Sequence, residues 1–387
     1  MVFPIFLSSQ IFSFIIYFLL LCYFFLNFKQ TFIPKIAYPL LIASPIGLIN
    51  MNGSNYDIIK DLAYVLNPVI VLTLGFLISK KIKNINSIVK MIIFASLVIS
   101  IYHTYNFIFV ENLEQRNLAY IRTNLTRGYF LPVIGISILL FDKNKYIGND
   151  KSFFLKYLLI FILLLSIFLS LSRTIIIFLV IMYFANNNFS MSNLFFRPKF
   201  YLLTFISVVL GLLFINFNNY EILNQFFNKF LNIFYETSFG NYSTRVEINE
   251  KWRGYESYRA LLTFRNGNWF EYIFGQGFGT LIDLDYKIRL GENNFWEIPI
   301  LHNGYLYLLV KTGFVGVFCY LFFLYKLFFV KNSFLVSNTS IIPIIRGGAL
   351  ILILSTYVNA GIYNKSAFIP LLLIIGSFYH FYNADLK

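Results

Sequence analysis

Apolar stretches about as long as a bilayer is thick follow one another through this chain, divided by short connections rich in lysine. A helix needs roughly 20 apolar residues to cross about 30 Å of hydrocarbon. Eleven segments approach that length: residues 4–28, 33–51, 62–79, 88–110, 128–141, 153–171, 173–185, 200–217, 302–330, 341–360 and 366–382. Composition agrees. Charged residues make up 12% of the 387 residues and hydrophobic ones 58%, whereas a soluble domain carries about 25% charge. The pattern predicts an all-α integral membrane protein of about 11 (10–12) transmembrane helices. It excludes a soluble globular domain.

The net charge of +14 does not point to nucleic acid, because no nucleic-acid-binding module is visible. The basic residues gather in alternate connections: Lys80, Lys81, Lys83 and Lys90; Lys143, Lys145, Lys151 and Lys156; Arg197 and Lys199; Lys326, Lys331 and Arg346. That is the positive-inside pattern, and it makes these connections cytoplasmic. The segment from Glu111 to Arg127, the turn at Arg173 and everything from Asn218 to Leu301 then face outward. Val2 to Phe28 is uncharged and too long for a signal h-region, so it reads as a retained first span. Cys22 and Cys319 lie in apolar runs and read as core residues.

Three units follow: an N-terminal transmembrane bundle (1–217), a large outward loop (218–301) and C-terminal transmembrane helices (302–387). The loop holds more than half of the acidic residues and all three tryptophans, Trp252, Trp269 and Trp296. A loop this long is functional or disordered, and its aromatic content argues against disorder.

Arg173 stands in an otherwise apolar run, where an arginine at bilayer depth costs about 3 kcal/mol or more. The run from Phe153 to Ala185 is too long for one helix and short for two full spans, so it must break, and Ser170, Ser172 and Arg173 mark the place. Arg173 then sits at the outward end of a helical hairpin. It either snorkels to headgroups or holds an anion. Arg122 and Arg127 in RTNLTRG lie at the same outer boundary, against the charge bias of the topology. A guanidinium binds phosphate through its planar fork, so this cluster suits a lipid-linked diphosphate.

In GNYSTRVEINEKWRGYESYR, Thr244 followed by Glu247 fits a capping box. Arg245, Asn249, Trp252, Glu256 and Arg259 then fall on one face of a continuous helix. That face is either a salt-bridged surface or a sugar site, with Trp252 stacking on a pyranose and Asn249 and Glu256 binding hydroxyls. Arg245 adds its charge to the positive end of the helix dipole. FGQGFGT supplies glycines for a tight turn and close backbone approach, without the strand–turn–helix context of a dinucleotide site. Asp283 and Asp285 have a D-x-D spacing but read as surface. In HNGYLYLLVKTGFVGVF, His302 is the one histidine expected to face outward; His103 lies within a span and His380 near its cytoplasmic end. Gly313 and Gly316 on the same helix permit close packing. No metal-ligand pattern is present in the sequence.

Four stretches in this order, SLSRT, YSTRVEINEKW, FGQGFGT and HNGYLYLLVKTGFVG, resemble the bacterial O-antigen ligase and O-antigen polymerase superfamily, with the large loop where that family has its periplasmic one. The resemblance covers the C-terminal half. It implies a GT-C-like membrane glycosyltransferase of the inner membrane, metal-independent and without a cofactor, its site facing the periplasm and its large loop helical. The implied donor is an undecaprenyl-diphosphate-linked glycan in the membrane lipid. A polymerase joins it to another lipid-linked unit, with a chain-length regulator protein as partner; a ligase hands it to lipid A-core. His302 and Arg245 take the catalytic roles, with Glu247 or Glu256 as fallback base. Arg122, Arg127 and Arg173 bind diphosphate, and Trp252, Asn249, Glu256 and Asn303 bind glycan. Lys311 departs from the family pattern, which has an acidic residue there. A flippase, of another class, would place charges along its spans, whereas here they collect at the outer face.

Overall fold

The computed structural model describes residues 9–26, 33–82, 84–110, 130–141, 153–186, 204–209, 212, 220–232, 235–236, 238, 242, 244–290, 293–330, 341–363 and 368–385. Helices α1 (Ser9–Leu26), α2 (Tyr38–Ile46), α3 (Asn55–Ile82), α4 (Ile85–Tyr105), α5 (Phe130–Phe141), α6 (Phe153–Leu169) and α7 (Arg173–Asn186) precede the large loop. The loop carries α8 (Tyr220–Leu231), α9 (Arg245–Glu250), α10 (Trp252–Arg265), α11 (Trp269–Phe274) and strands β1 (Ile282–Leu290) and β2 (Asn293–Ile298). Helices α12 (Gly304–Phe328), α13 (Ile341–Asn359) and α14 (Ile369–Asp385) follow. Among the described residues, α3, α4, α12 and α13 are long and apolar enough to cross a membrane, while α2, α5, α6, α7 and α14 are shorter apolar helices. The chain is an all-α membrane bundle to that extent. Of the eighth expected span, only 204–209 and 212 are described.

The break before Arg173 falls where the serines place it. Ser170 Oγ donates to the Ile167 carbonyl at 2.6 Å and accepts from the Ser172 amide at 3.3 Å. Leu171 turns the chain with φ +49°. These local bonds stand in for the helical ladder and separate α6 from α7.

Small residues set the bundle's tightest crossing. A Cβ at Gly75 of α3 would strike the Leu373 carbonyl of α14, and one at Gly376 would strike the Leu72 carbonyl. Ser377 Oγ donates to the Gly75 carbonyl at 3.1 Å. Such reciprocal glycines let two backbones approach where lipid offers no hydrophobic drive for helix association.

The loop is not wholly helical, which corrects the expectation. Residues Ile282 to Leu290 alternate apolar and polar, the period of a half-buried strand. They pair antiparallel with β2, Ile282 against Ile298 and Ile288 against Phe295, with an irregularity between. Ile282, Leu284 and Ile298 are buried while Asp283 and Asp285 are exposed. The Tyr255 hydroxyl of α10 donates to the Leu284 carbonyl, and burial pushes that hydroxyl up to about 12.

The glycines of FGQGFGT serve a close approach to protein backbone. Gly275, Gly277 and Gly279 have φ of +84°, +90° and +89°. The loop threads between the turn after α2 and the middle of α12. The Phe278 amide donates to the Gly47 carbonyl at 2.7 Å and the Asn52 amide to the Phe278 carbonyl at 3.0 Å. A Cβ at Gly277 would overlap the Asn50 carbonyl. Gly277→Ala therefore destabilises the fold by about 1–3 kcal/mol from backbone strain alone, with the overlap added; thermal unfolding in detergent reads this directly, and an unchanged midpoint would refute the packing.

Gly313 also differs from its expected role. It breaks α12 with φ +63° and ψ −164° instead of packing a continuous helix. The Gln276 amide donates to the Val310 carbonyl at 2.8 Å just before the break. A kink in an apolar helix is tolerated when neighbouring groups satisfy its backbone in this way.

Two residues before the kink, Lys311 is completely buried. Its Nζ lies 2.6 Å from Asp61 Oδ2 and also donates to the Thr280 carbonyl. Asp61, itself completely buried on α3, accepts further from the Tyr307 hydroxyl at 2.9 Å and the Gly279 amide at 2.8 Å. This lysine is thus balanced by a carboxylate from the other half of the chain. This network joins α3, the glycine loop and α12.

Candidate functional site

Two helix N-termini and the large loop meet at one end of the bundle. Asn303 caps α12, accepting from the amides of Tyr305 and Leu306 at 3.1 and 3.2 Å. The cap leaves His302 just outside the helix, with its side chain 48% exposed. His302 Nδ1 lies 2.7 Å from Glu256 Oε2, and the His302 amide donates to the same oxygen at 3.4 Å. Glu256 is buried on α10. With the carboxylate ionised, this bond needs a proton on Nδ1. The neutral ring then carries its lone pair on Nε2.

On the other helix, Arg173 is buried at the start of α7. Its Nη2 reaches both oxygens of Glu236, at 3.3 and 3.0 Å. Arg253 of α10 approaches the same carboxylate at 3.9 Å. Burial is the largest influence on Arg253 and lowers its pKa; Glu236 raises it, Arg173 lowers it and Glu256 raises it. Arg253 and Glu256 stand three residues apart on α10, which places the arginine pair and the Glu256–His302 pair along one side of that helix.

The segment bearing Glu236 is seated by local features of α10. Lys251 Nζ lies 4.6 Å from the centre of the Tyr235 ring, a cation–π contact. A Cβ at Gly254 would collide with the Ser238 carbonyl, so glycine there lets Ser238 lie against the helix. Glu236 is thereby delivered beside Arg253.

Several expected site residues sit elsewhere. The Thr244–Glu247 capping box is present, each side chain bonding the other's amide at 3.3 Å. The single face running from Arg245 to Arg259 is not, because the helix breaks at Lys251, with φ −107° and ψ 33°. The lysine ends α9 and precedes α10, so the register restarts at Trp252. Arg245 and Asn249 are exposed on the short α9. Trp252 is half-buried and packs on the hydrophobic core, its ring 6.2 Å from that of Tyr255. Arg259 binds the hairpin instead, reaching Asp285 at 2.6 Å and Asp283 at 3.1 Å. Arg122 and Arg127 lie outside the described residues.

Glu236 and Arg253 escaped the sequence reading. Arg253 had a legible signal: it stands three residues before Glu256, a spacing that places both on one side of a helix once the register begins at Trp252. Glu236 had none, since its partner Arg173 is 63 residues away.

Residues 158–321 match the family model described as O-antigen ligase. That span takes in Arg173, Glu236, Arg253, Glu256, His302 and Lys311, while Asp61 lies before it. No curated protein matches the chain, and no solved structure does. The matched segment runs from the hairpin that carries Arg173 to the helix that His302 precedes, and this match supports the O-antigen ligase and polymerase superfamily, whose members are glycosyltransferase-like enzymes.

Proposed function

We propose that this protein is an O-antigen polymerase: a metal-independent, inverting glycosyltransferase joining undecaprenyl-diphosphate-linked repeat units at the periplasmic face of the inner membrane. In this reading the bundle has eleven spans in a GT-C-like arrangement, and a chain-length regulator is its partner. The observation that carries the proposal is the Glu256–His302 pair beside two arginines that share one carboxylate.

The chemistry follows from that geometry. An acceptor sugar hydroxyl gives its proton to His302 Nε2, and its oxygen forms a bond to the donor's anomeric carbon. The bond from that carbon to the diphosphate oxygen breaks, and undecaprenyl diphosphate leaves with the electron pair. Glu256 stabilises the imidazolium through Nδ1–H. Arg173 and Arg253 receive the developing diphosphate charge in place of Glu236. Arg122 and Arg127 add positive charge, and Asn303 borders the glycan. Direct displacement inverts the anomeric centre.

The test uses purified protein with undecaprenyl-diphosphate-linked repeat units, in EDTA and without lipid A-core. A ladder of lengthening glycans is expected on a gel. Transfer only after lipid A-core is added supports the ligase reading. Strict dependence on a divalent ion would overturn the arginine scheme. Arg173→Lys raises the donor KM about tenfold or more, as a charged hydrogen bond contributes roughly 1.5–3 kcal/mol and an ammonium cannot reproduce the fork; an unchanged KM would return Arg173 to a purely structural role.

A further inference from the structure

We propose that α11 is a membrane-interface anchor, with Trp269 and Ile273 seated in the headgroup and upper acyl region of the leaflet on the loop side. The expected partner is the lipid surface itself. The argument begins on α12. No residue from Gly304 to Gly313 is exposed, because loop and neighbouring helices cover that part. From Phe314 onward each turn presents a large apolar side chain, Phe314 at 58% and Phe318 at 67% exposure first among them. On a helix long and apolar enough to cross a membrane, the onset of such a stripe marks where lipid begins.

α11 lies at that level. A Cβ at Gly313 would strike the Ile273 carbonyl, so the end of α11 touches the kink directly above the stripe. Phe264, at the end of α10, packs edge-on against Phe314 with ring centres 5.7 Å apart. Trp269 is 72% exposed and Ile273 38%. Their apolar surface therefore continues the lipid-facing face of α12, while the exposed Arg265 and Asn268 lead into α11 from the polar side. Tryptophan with an apolar body and a wet edge is the residue enriched at membrane–water interfaces. An aromatic of this size held in water beside a lipid-facing stripe has no comparable rationale. The anchor also bears on the fold: α11 runs straight into the glycine loop and so into the Asp61–Lys311 network, which ties the loop's height to the bilayer.

The full chain is reconstituted in phosphatidylcholine and phosphatidylglycerol vesicles with Trp252→Phe and Trp296→Phe, leaving Trp269 as the only tryptophan. Emission should be blue-shifted, strongly quenched by lipids brominated near the top of the acyl chain, less by lipids brominated deeper, and weakly by aqueous iodide. In the chain with its tryptophans intact, Trp269→Ala should remove the lipid-quenched share of the emission, which tests the same claim without the two phenylalanine exchanges. Full iodide quenching without lipid quenching would place α11 in water, free to stack on soluble glycan, and overturn the proposal. Shielding from both quenchers would assign the patch to a protein contact and overturn it as well.

Discussion

Replacing His302 with alanine is expected to lower glycan transfer by about 10²–10⁴-fold, the usual contribution of a positioned general base. The loss should fall on kcat, with donor KM little changed, because the proposed mechanism has His302 meet the acceptor while the arginines hold the donor. The fold should persist: the side chain is half exposed and its recorded bond is to Glu256. Glu256→Gln gives a sharper version. The carboxamide keeps the shape but can donate to Nδ1, which moves the ring proton to Nε2 and removes the lone pair where it is needed. A loss of similar order is expected, with an unchanged unfolding midpoint. Undiminished transfer in either variant, read with lipid-linked repeat units, would remove the pair from the chemistry.

The second large effect concerns stability. Lys311 and Asp61 are both completely buried and 2.6 Å apart. Their desolvation is offset by mutual attraction and by the bonds from Tyr307, Gly279 and the Thr280 carbonyl. Asp61→Leu leaves an uncompensated ammonium in the core and should cost roughly 3–5 kcal/mol. Lys311→Met leaves the matching carboxylate and should cost a similar amount. The double exchange removes both charges and is expected to recover most of the loss, since apolar replacement of a whole buried pair is often close to neutral. Thermal unfolding in nanodiscs distinguishes these cases. Additive losses in the double variant would show that the two groups do not act as a pair.

The Asp61–Lys311 pair also marks the limit of reading residues in isolation. In the sequence, Lys311 is a departure from the pattern that the resemblance implies, and Asp61 stands just before an apolar run. Neither position carries a local sign of the other, because the partner lies 250 residues away. By contrast, the alternation in Ile282 to Leu290 was a local and legible strand pattern, outweighed by the expectation of a helical loop. The restart of the helix at Trp252 depended on one backbone conformation at Lys251, which residue type does not specify.

What the sequence determined by itself is what short-range physics governs. The apolar runs determined an all-α membrane protein, the serines before Arg173 ended α6, and Thr244 with Glu247 closed its capping box. Each depends on groups within a few residues of one another. Only the tertiary structure decided which charges meet: Arg173 with Glu236, Glu256 with His302, Asp61 with Lys311. A buried charge must find an opposite charge or a hydrogen-bonding partner, yet that requirement names no particular residue. The choice belongs to the packing that brings distant segments to one end of the bundle.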